Sequence, residues 1–325
     1  MSLTLEEALA SLRVVALPMK TKFRGLTVRE IALFKGSEGW GEFAPFIEYD
    51  AKESLPWLES AIEAATTNFS SSYRALVPVN ATVPASNDEA EIERILSWYP
   101  GVDTVKIKVG TGIREDLVRI ARVRTHLPHA KIRVDVNGSW SVDEAVFNIR
   151  TIYGEVAGTF LEYVEQPVAT LDALRELKER LIVDVKIAGD EVLRKARDPF
   201  AINLEGAIDV LMLKVAPLGG IKRSLELASH HKLPVVVSSA LESVVGISHG
   251  LRLASALPQL EYACGLATGA LFEADLGSLP ITNGALSVEV PVIDDERLQR
   301  FAVSHERLEW WRTRITEVWN LRRSA

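Results

Sequence analysis

The chain of 325 residues is 47% hydrophobic and 25% charged, so it can bury a large core unaided, and its single cysteine, Cys264, excludes a disulfide framework and a cysteine-cluster zinc site. A formal net charge of −7 argues against a general phosphate-backbone binder, which needs clustered Lys and Arg, and no apolar run nears the ~18 residues of a membrane span. Small-molecule chemistry is left. The stretch MSLTLEEALASLRVV lacks the basic segment and long apolar run of a signal peptide, so a cytoplasmic protein with no nucleic-acid or membrane partner is expected, with Cys264 a small buried residue.

Along the chain, residues 1–78 read as an α+β unit. Leu12 to Leu17 and Thr27 to Phe34 look like strands, and Gly36 to Gly41 carry turn chemistry before a third strand at Trp40 to Phe43. Lys52 to Phe69 follows with Leu55, Leu58, Ile62 and Ala65 at helical spacing, and Ser70-Ser71-Ser72 marks a break. From Val79 the chain alternates. Strand-like runs at Val79–Ala85, Thr104–Val109, Lys131–Val136, Thr159–Glu165, Val185–Asp190, Asp209–Val215, Pro234–Ser239 and Glu261–Leu266 are separated by helical patterns at Asp88–Trp98, Glu115–Thr125, Val142–Ile152, Leu171–Arg180, Ile221–His230 and Val245–Ala256. Leu193–Gly206 is the weakest helical stretch. A repeat of about 25 residues fits a strand, a helix and two loops, and eight such units close a barrel of parallel strands over 79–290. A last helix, Asp294–Asn320, carries Trp310, Trp311 and Trp319 and is expected to pack back on the body as part of a tail over 291–325.

In such a barrel the C-terminal ends of the strands converge on one mouth, however far apart they lie in sequence. The second strand, in VKIKVG, alternates apolar and charged residues and puts Lys106 and Lys108 on one face. The third ends at Asp135 and Asn137, the fourth at Glu162 to Pro167, the fifth at Asp190 and Glu191, and the sixth holds Lys214. Three carboxylates in one apolar mouth repel one another unless a cation compensates them. Hard oxygen donors without Cys or His select Mg2+, or Mn2+ in its place, over zinc. An ion there would hold a substrate carboxylate and acidify its α-carbon, and a lysine beside a second ammonium, as Lys108 is beside Lys106, could take the proton.

These segments, VKIKVG, RVDVNGSW, YVEQP, AGDE and LMLKVAPLGG, resemble in order and spacing the barrel motifs of the enolase superfamily in its muconate-lactonizing-enzyme branch, over essentially the whole chain. FRGLTVREIALFKGSEGWGEFAPFIEY, SSALESVVG and YACGLATGALFEADL look most like the dehydratases of menaquinone biosynthesis within that branch. The resemblance implies an α/β fold: a (β/α)8-type barrel, modified to (β/α)7β, under an N-terminal α+β capping domain. It implies a hydro-lyase that removes water from 2-succinyl-6-hydroxy-2,4-cyclohexadiene-1-carboxylate through an enediolate, with Mg2+ held by Asp135, Glu165 and Asp190. Lys108 aligns with the base, Lys214 with the lysine across the mouth, and Lys106 would tune Lys108. Asn137 and Glu191 would support the ligands. Ser238, Ser239, Glu242, Gly265 and Leu266 would lie near the substrate, and loops at Phe23, Arg24 and Gly25 and at Phe46 to Tyr49 would close over it. A small carboxylate substrate is the expected partner, and a monomer the expected state.

Other readings stay open at this level. Asp135 alone could be a turn residue, Glu162 competes with Glu165 and Glu191 with Asp190. His230, His231 and His249 fall on predicted helices and read as surface or core, and Leu218-Gly219-Gly220 could cradle a phosphate at a helix N-terminus. The same residues could serve an N-succinylamino acid racemase or a dipeptide epimerase with Lys108 and Lys214 as opposed bases, although Gly265-Leu266-Ala267-Thr268 carries no acid for a substrate amine. A different class, a metal-free aldolase with Lys214 or Lys108 as Schiff-base lysine, keeps the barrel and discards the ion.

Overall fold

Helix α1 (Leu5–Ser11) starts from a capping box at Thr4: its hydroxyl accepts from the Glu7 amide while Glu7 reaches back to the Thr4 amide. The computed structural model describes residues 3–69, 72–158 and 160–324. Ser70 and Ser71 of the expected serine break, and Thr159 at the expected start of the fourth barrel strand, lie outside them. Strands β1 (Arg13–Phe23), β2 (Leu26–Gly36) and β3 (Gly39–Phe43) form an antiparallel sheet in that order, and helix α2 (Ala51–Thr66) lies on it. Gly41 makes that approach possible, since a Cβ there would stand 2.1 Å from the Ala61 carbonyl oxygen.

After β4 (Leu76–Pro78), the parallel strands are β5 (Ala81–Val83), β6 (Thr104–Lys108), β7 (Lys131–Asp135), β8 (Leu161–Glu165), β9 (Lys186–Gly189), β10 (Val210–Lys214) and β11 (Val235–Ser238). The helices between them are α3 (Glu89–Ser97), α4 (Ile113–His126), α5 (Val142–Glu155), α6 (Leu171–Arg180), α7 (Glu191–Arg194), α8 (Val215–Leu218) and α9 (Ile221–His231), and α10 (Val244–Ala256) follows β11. Among the described residues the sheet runs in chain order from β5 to β11. Two residues close it: Cys264 bridges to Val79 beside β5, and Gly265 to Ser238 at the end of β11. The eighth strand expected over Glu261–Leu266 is reduced to that bridge, and Gly265 lies close on Ser238 there, since a Cβ at Gly265 would meet Ser238 Oγ at 2.6 Å and push that hydroxyl aside. Cys264 is fully buried, which pushes its thiol up to about 11 and leaves it inert at neutral pH.

Two further expectations are corrected. The helix looked for over Leu193–Gly206 is only the short α7. The single helix expected over Asp294–Asn320 is two, α11 (Asp295–Arg300) and α12 (His305–Ser324), preceded by strand β12 (Ala285–Ser287), which pairs with β4. The break has a cause: residues 301–303 extend along β1, with Ala16 donating to the Phe301 carbonyl at 2.8 Å and Val303 to the Val14 carbonyl at 3.1 Å. Trp311 and Trp319 are buried against Phe43, Trp57 and Leu58, whereas Trp310 is 37% exposed.

The cap meets the barrel through two acids set into helix N-termini, where free amides and the helix dipole favour negative charge. Glu63 of α2 accepts from the amides of Ile221 at 2.5 Å and Lys222 at 3.0 Å, and from His249 Nε2 at 3.2 Å. The Gly219–Gly220 turn therefore already holds an anion, the protein's own carboxylate. Glu42 of β3 accepts from the amides of Ser243 at 3.1 Å and Gly246 at 2.9 Å and from Ser243 Oγ at 2.5 Å.

Burial and the neighbouring Glu242 push the Glu42 carboxyl up to about 8. The folded chain thus keeps a proton that the unfolded chain, with an ordinary glutamate near 4.3, gives up, so this group's contribution is fully present below about pH 4 and is lost as pH rises to about 8. Glu42→Gln should flatten that loss. Unfolding free energies from urea titrations should fall between about pH 5 and pH 8 in the wild type, by up to about 1.4 kcal/mol per pH unit, and by less in the variant. Equal slopes would remove Glu42 as the source.

Candidate active site

Each barrel strand puts alternate side chains inside and outside. On β6 the outward residues are Val105 and Ile107, buried under the helices, and the inward ones are Lys106 and Lys108. The register then brings the acids to one level: Lys108 pairs with Asp135, Asp135 with Glu165, and Glu165 with Ala188, two residues before Asp190. Lys214 ends β10 opposite Ser238, four strands from Lys108 and so across an eight-stranded mouth.

At that mouth, Asp135, Glu165 and Asp190 are each 1% exposed. Lys108 Nζ lies 2.6 Å from Asp135 Oδ2 and 2.8 Å from Asn137 Oδ1. Lys106 Nζ is 3.1 Å from Glu165 Oε2 and 3.4 Å from Asp135 Oδ2, and Lys214 Nζ is 2.6 Å from Asp190 Oδ2. Burial works against the Lys106 charge, but Glu165 and Asp135 override it and hold the ammonium above the usual lysine range. Burial likewise opposes the ionised forms of Asp135 and Asp190. Lys108 and Lys106 outweigh it at Asp135, and Lys214 and Arg194 at Asp190, so both stay below the usual carboxylate range. Glu165, which shares its ammonium with Asp135, is pushed up to about 7 by burial and by the Asp135 charge.

The residues fit a divalent cation by donor type and placement. Three buried oxygen donors leave adjacent strands on one face, and a fourth carboxylate oxygen beside them, Glu191 Oε2, is buried without a hydrogen-bond partner. Among the described residues no three such groups converge on one point in this arrangement, because each acid is turned onto an ammonium. Neighbours fix the frame. Asn137 and Gln166 follow the third and fourth strand ends with positive φ, 53° and 40°. Gln166 Oε1 accepts from the amides of Asp190 at 3.1 Å and Val192 at 3.2 Å, which anchors the fifth strand end.

Lys106, Lys108, Asp135, Asp190 and Lys214 floor a cavity of about 790 Å³ roofed by the cap, with Glu165 not on its lining, and Phe23, Arg24, Gly25, Phe46 and Tyr49 line it from the two loops. Ser238, Ser239 and Gly265 also line it. Glu242 and Leu266 do not: Glu242 is buried at the cap seam in a small space shared with Glu42, and Leu266 packs against Gly250. Glu162 points to the other end of the barrel, where it pairs with Arg133 at 2.6 Å and Lys131 at 3.2 Å. His249 is buried under α2, and His231 bonds the Pro199 carbonyl.

Three basic residues on the lining, Lys22, Arg194 and Lys195, were not singled out in the sequence, and Arg194 has the most contacts within the site. Arg194 on α7 reaches Asp190 Oδ1 at 3.2 Å, Glu191 Oε1 at 2.8 Å and, at 3.5 Å, the Tyr49 hydroxyl, which also accepts from Arg24 at 2.9 Å. It ties the cap loop to the fifth strand end. Its segment lacks helical periodicity, so the only signal was its position four residues after Asp190.

Such a barrel, with acids at three successive strand ends between lysines, under an α+β cap, defines a class. Residues 90–294 match the family model "Enolase C-terminal domain-like" and residues 14–65 match "Enolase N-terminal domain-like", so the chain is an enolase-superfamily protein. The fold is that of the muconate lactonizing enzyme from Pseudomonas fluorescens complexed with muconolactone, at TM-score 0.74 and 20% identity over 90% of this chain and 98% of that one. The o-succinylbenzoate synthase of Mycolicibacterium smegmatis is 46% identical over 316 residues, 96% of both chains, and that of Mycobacterium tuberculosis is 46% identical over 322 residues, 98% of this chain and 96% of its own. Within the superfamily the chain belongs to the o-succinylbenzoate synthase family.

Proposed function

We propose that this chain is a hydro-lyase that converts 2-succinyl-6-hydroxy-2,4-cyclohexadiene-1-carboxylate to o-succinylbenzoate in menaquinone biosynthesis. The observation that carries the reading is the charge of the cavity: seven basic side chains and four acidic ones line it, in a chain whose net charge is −7. That excess suits a substrate with two carboxylates, and it would draw such an anion in.

Lys108 takes the proton α to the ring carboxylate, and as the ammonium it returns a proton to the departing hydroxyl on the same face, so that water leaves and the ring becomes aromatic. Asn137, 2.8 Å from Lys108 Nζ, holds the amine on that path. Lys214, across the mouth, faces the negative charge that develops on the carboxylate oxygens. Asp135, Glu165 and Asp190 would hold a divalent ion, Mg2+ in this reading and Mn2+ as a substitute. When bound it compensates the three carboxylates and acts as a Lewis acid toward the substrate carboxylate. Phe23, Phe46 and Tyr49 line the site from the cap side.

We further infer a cytoplasmic monomer; among the described residues no helix is long and apolar enough to cross a membrane. The placement of Lys108 and Lys214 on opposite sides favours one second reading, racemisation of N-succinylamino acids. Family membership leaves no ground for the aldolase. The deciding experiment follows the diene absorbance of the cyclohexadiene substrate with wild-type protein and Mg2+, beside α-proton exchange of N-succinylamino acids in D2O. Fast loss of the diene supports the dehydratase, while exchange alone would replace it with the racemase.

A further inference from the structure

We propose that the buried pair Asp116 and Arg119, on the first turns of α4, is a positioning device for Lys108: it clamps the main chain where β6 ends and so sets where the lysine amine points. The inference rests on Lys108 being the base, as read above. Both side chains are 1% exposed and 2.9 Å apart. Neither residue is itself on the cavity lining, and their remaining bonds go to the strand end beneath it. Arg119 Nη1 donates to the Lys108 carbonyl at 2.7 Å, Nη2 to Thr111 Oγ1 at 3.1 Å, and Nε to the Ser86 carbonyl at 3.0 Å, in the loop after β5. Asp116 Oδ2 accepts from the Gly110 amide at 2.8 Å, and Oδ1 from Thr111 Oγ1 at 3.0 Å.

The clamp answers a local weakness. Gly110 and Gly112 stand at φ +104° and +132°, and α4 begins at Gly112 with no side-chain cap, so the turn from strand to helix has little of its own to hold it. A buried ion pair seldom stabilises a fold more than apolar residues of the same size would. What the planar guanidinium fork adds is direction, three acceptors fixed at once. The pair holds Lys108 by its carbonyl from behind the strand, while Asp135 and Asn137 hold its amine from the front.

Removing one partner would leave the other charge buried and unpaired and risk unfolding, so the informative variant removes both, Asp116→Leu with Arg119→Met. In the full-length Mg2+-loaded protein, amide hydrogen exchange over residues 105–112 should speed up at least about tenfold while the rest of the barrel keeps its protection. Turnover should fall by about 100-fold in kcat with KM within a few-fold, since a displacement near 1 Å costs on this order. The primary deuterium isotope effect on kcat, from substrate labelled at the abstracted position, should rise, because proton transfer to a misaimed amine becomes the slow step. A purely structural pair would move none of these beyond the loss of folded protein. Unchanged exchange over 105–112 would overturn the proposal, and so would faster exchange with wild-type kcat and isotope effect. If the wild type fails to dehydrate the substrate, the functional reading fails by itself, and the exchange result still decides whether the pair holds the strand end.

Discussion

Lys108→Ala is expected to lower kcat for the dehydration on the order of 10⁴-fold, with KM within a few-fold of wild type. The size follows from the proposed reaction, in which the lysine serves twice, as the base that takes the α-proton and as the acid that protonates the departing hydroxyl, with no second amine on its face able to replace it. Lys106 is the nearest candidate. It is held as an ammonium between Glu165 and Asp135 and is buried below the mouth, while Lys108 keeps 22% of its side chain exposed to the cavity. The fold should survive, because Asp135 retains Lys106 at 3.4 Å after the substitution. Steady-state kinetics beside circular dichroism would check this, and residual turnover within tenfold of wild type in a folded variant would rule Lys108 out as the base.

Removal of divalent ions should be as damaging. Chelation is expected to bring turnover to background and added Mg2+ to restore it, whereas Zn2+, which prefers nitrogen and sulfur donors, should restore little. Glu165→Gln should weaken binding by about 100-fold or more, since losing groups that merely orient metal ligands already costs 10- to 100-fold. Titration calorimetry with Mn2+ reads this without turnover, so the binding result stands whatever the substrate proves to be. Equal Mn2+ affinity in wild type and variant would remove Glu165 from the ligand set.

The parts of the site that were legible in sequence are those where chemistry and periodicity coincide. Asp135, Glu165 and Asp190 each close an apolar run, and one barrel rule turns three such run ends into a cluster. Lys106 and Lys108 show why pattern alone is ambiguous: the same alternation describes a solvated surface strand, and only barrel closure turns the charged face inward. What the sequence hid depends on contacts between distant elements. Asp116 and Arg119 look like an i,i+3 pair on the surface of an amphipathic helix, and Glu63 looks like a solvated helix glutamate. Nothing local says that the first pair is buried or that Glu63 caps a helix more than 150 residues away. The break in the final helix was hidden for the same reason: no Gly or Pro marks residues 301–304, and the edge of β1 claims them instead.

Glu42 and Glu63 give the molecule a mechanical property as well. Because each cap acid completes a barrel helix, separating the two parts would uncover four or more backbone amides and leave two carboxyl groups without their partners. Neither part is then a free-standing folding unit. The chain should melt in a single calorimetric transition, with measured and van't Hoff enthalpies in agreement. A protease cut near residue 70 should not release a stable barrel. The roof over the active site is thereby held for as long as the barrel itself is folded, and exchange of substrate must proceed by movement of its loops rather than by hinging of the whole cap.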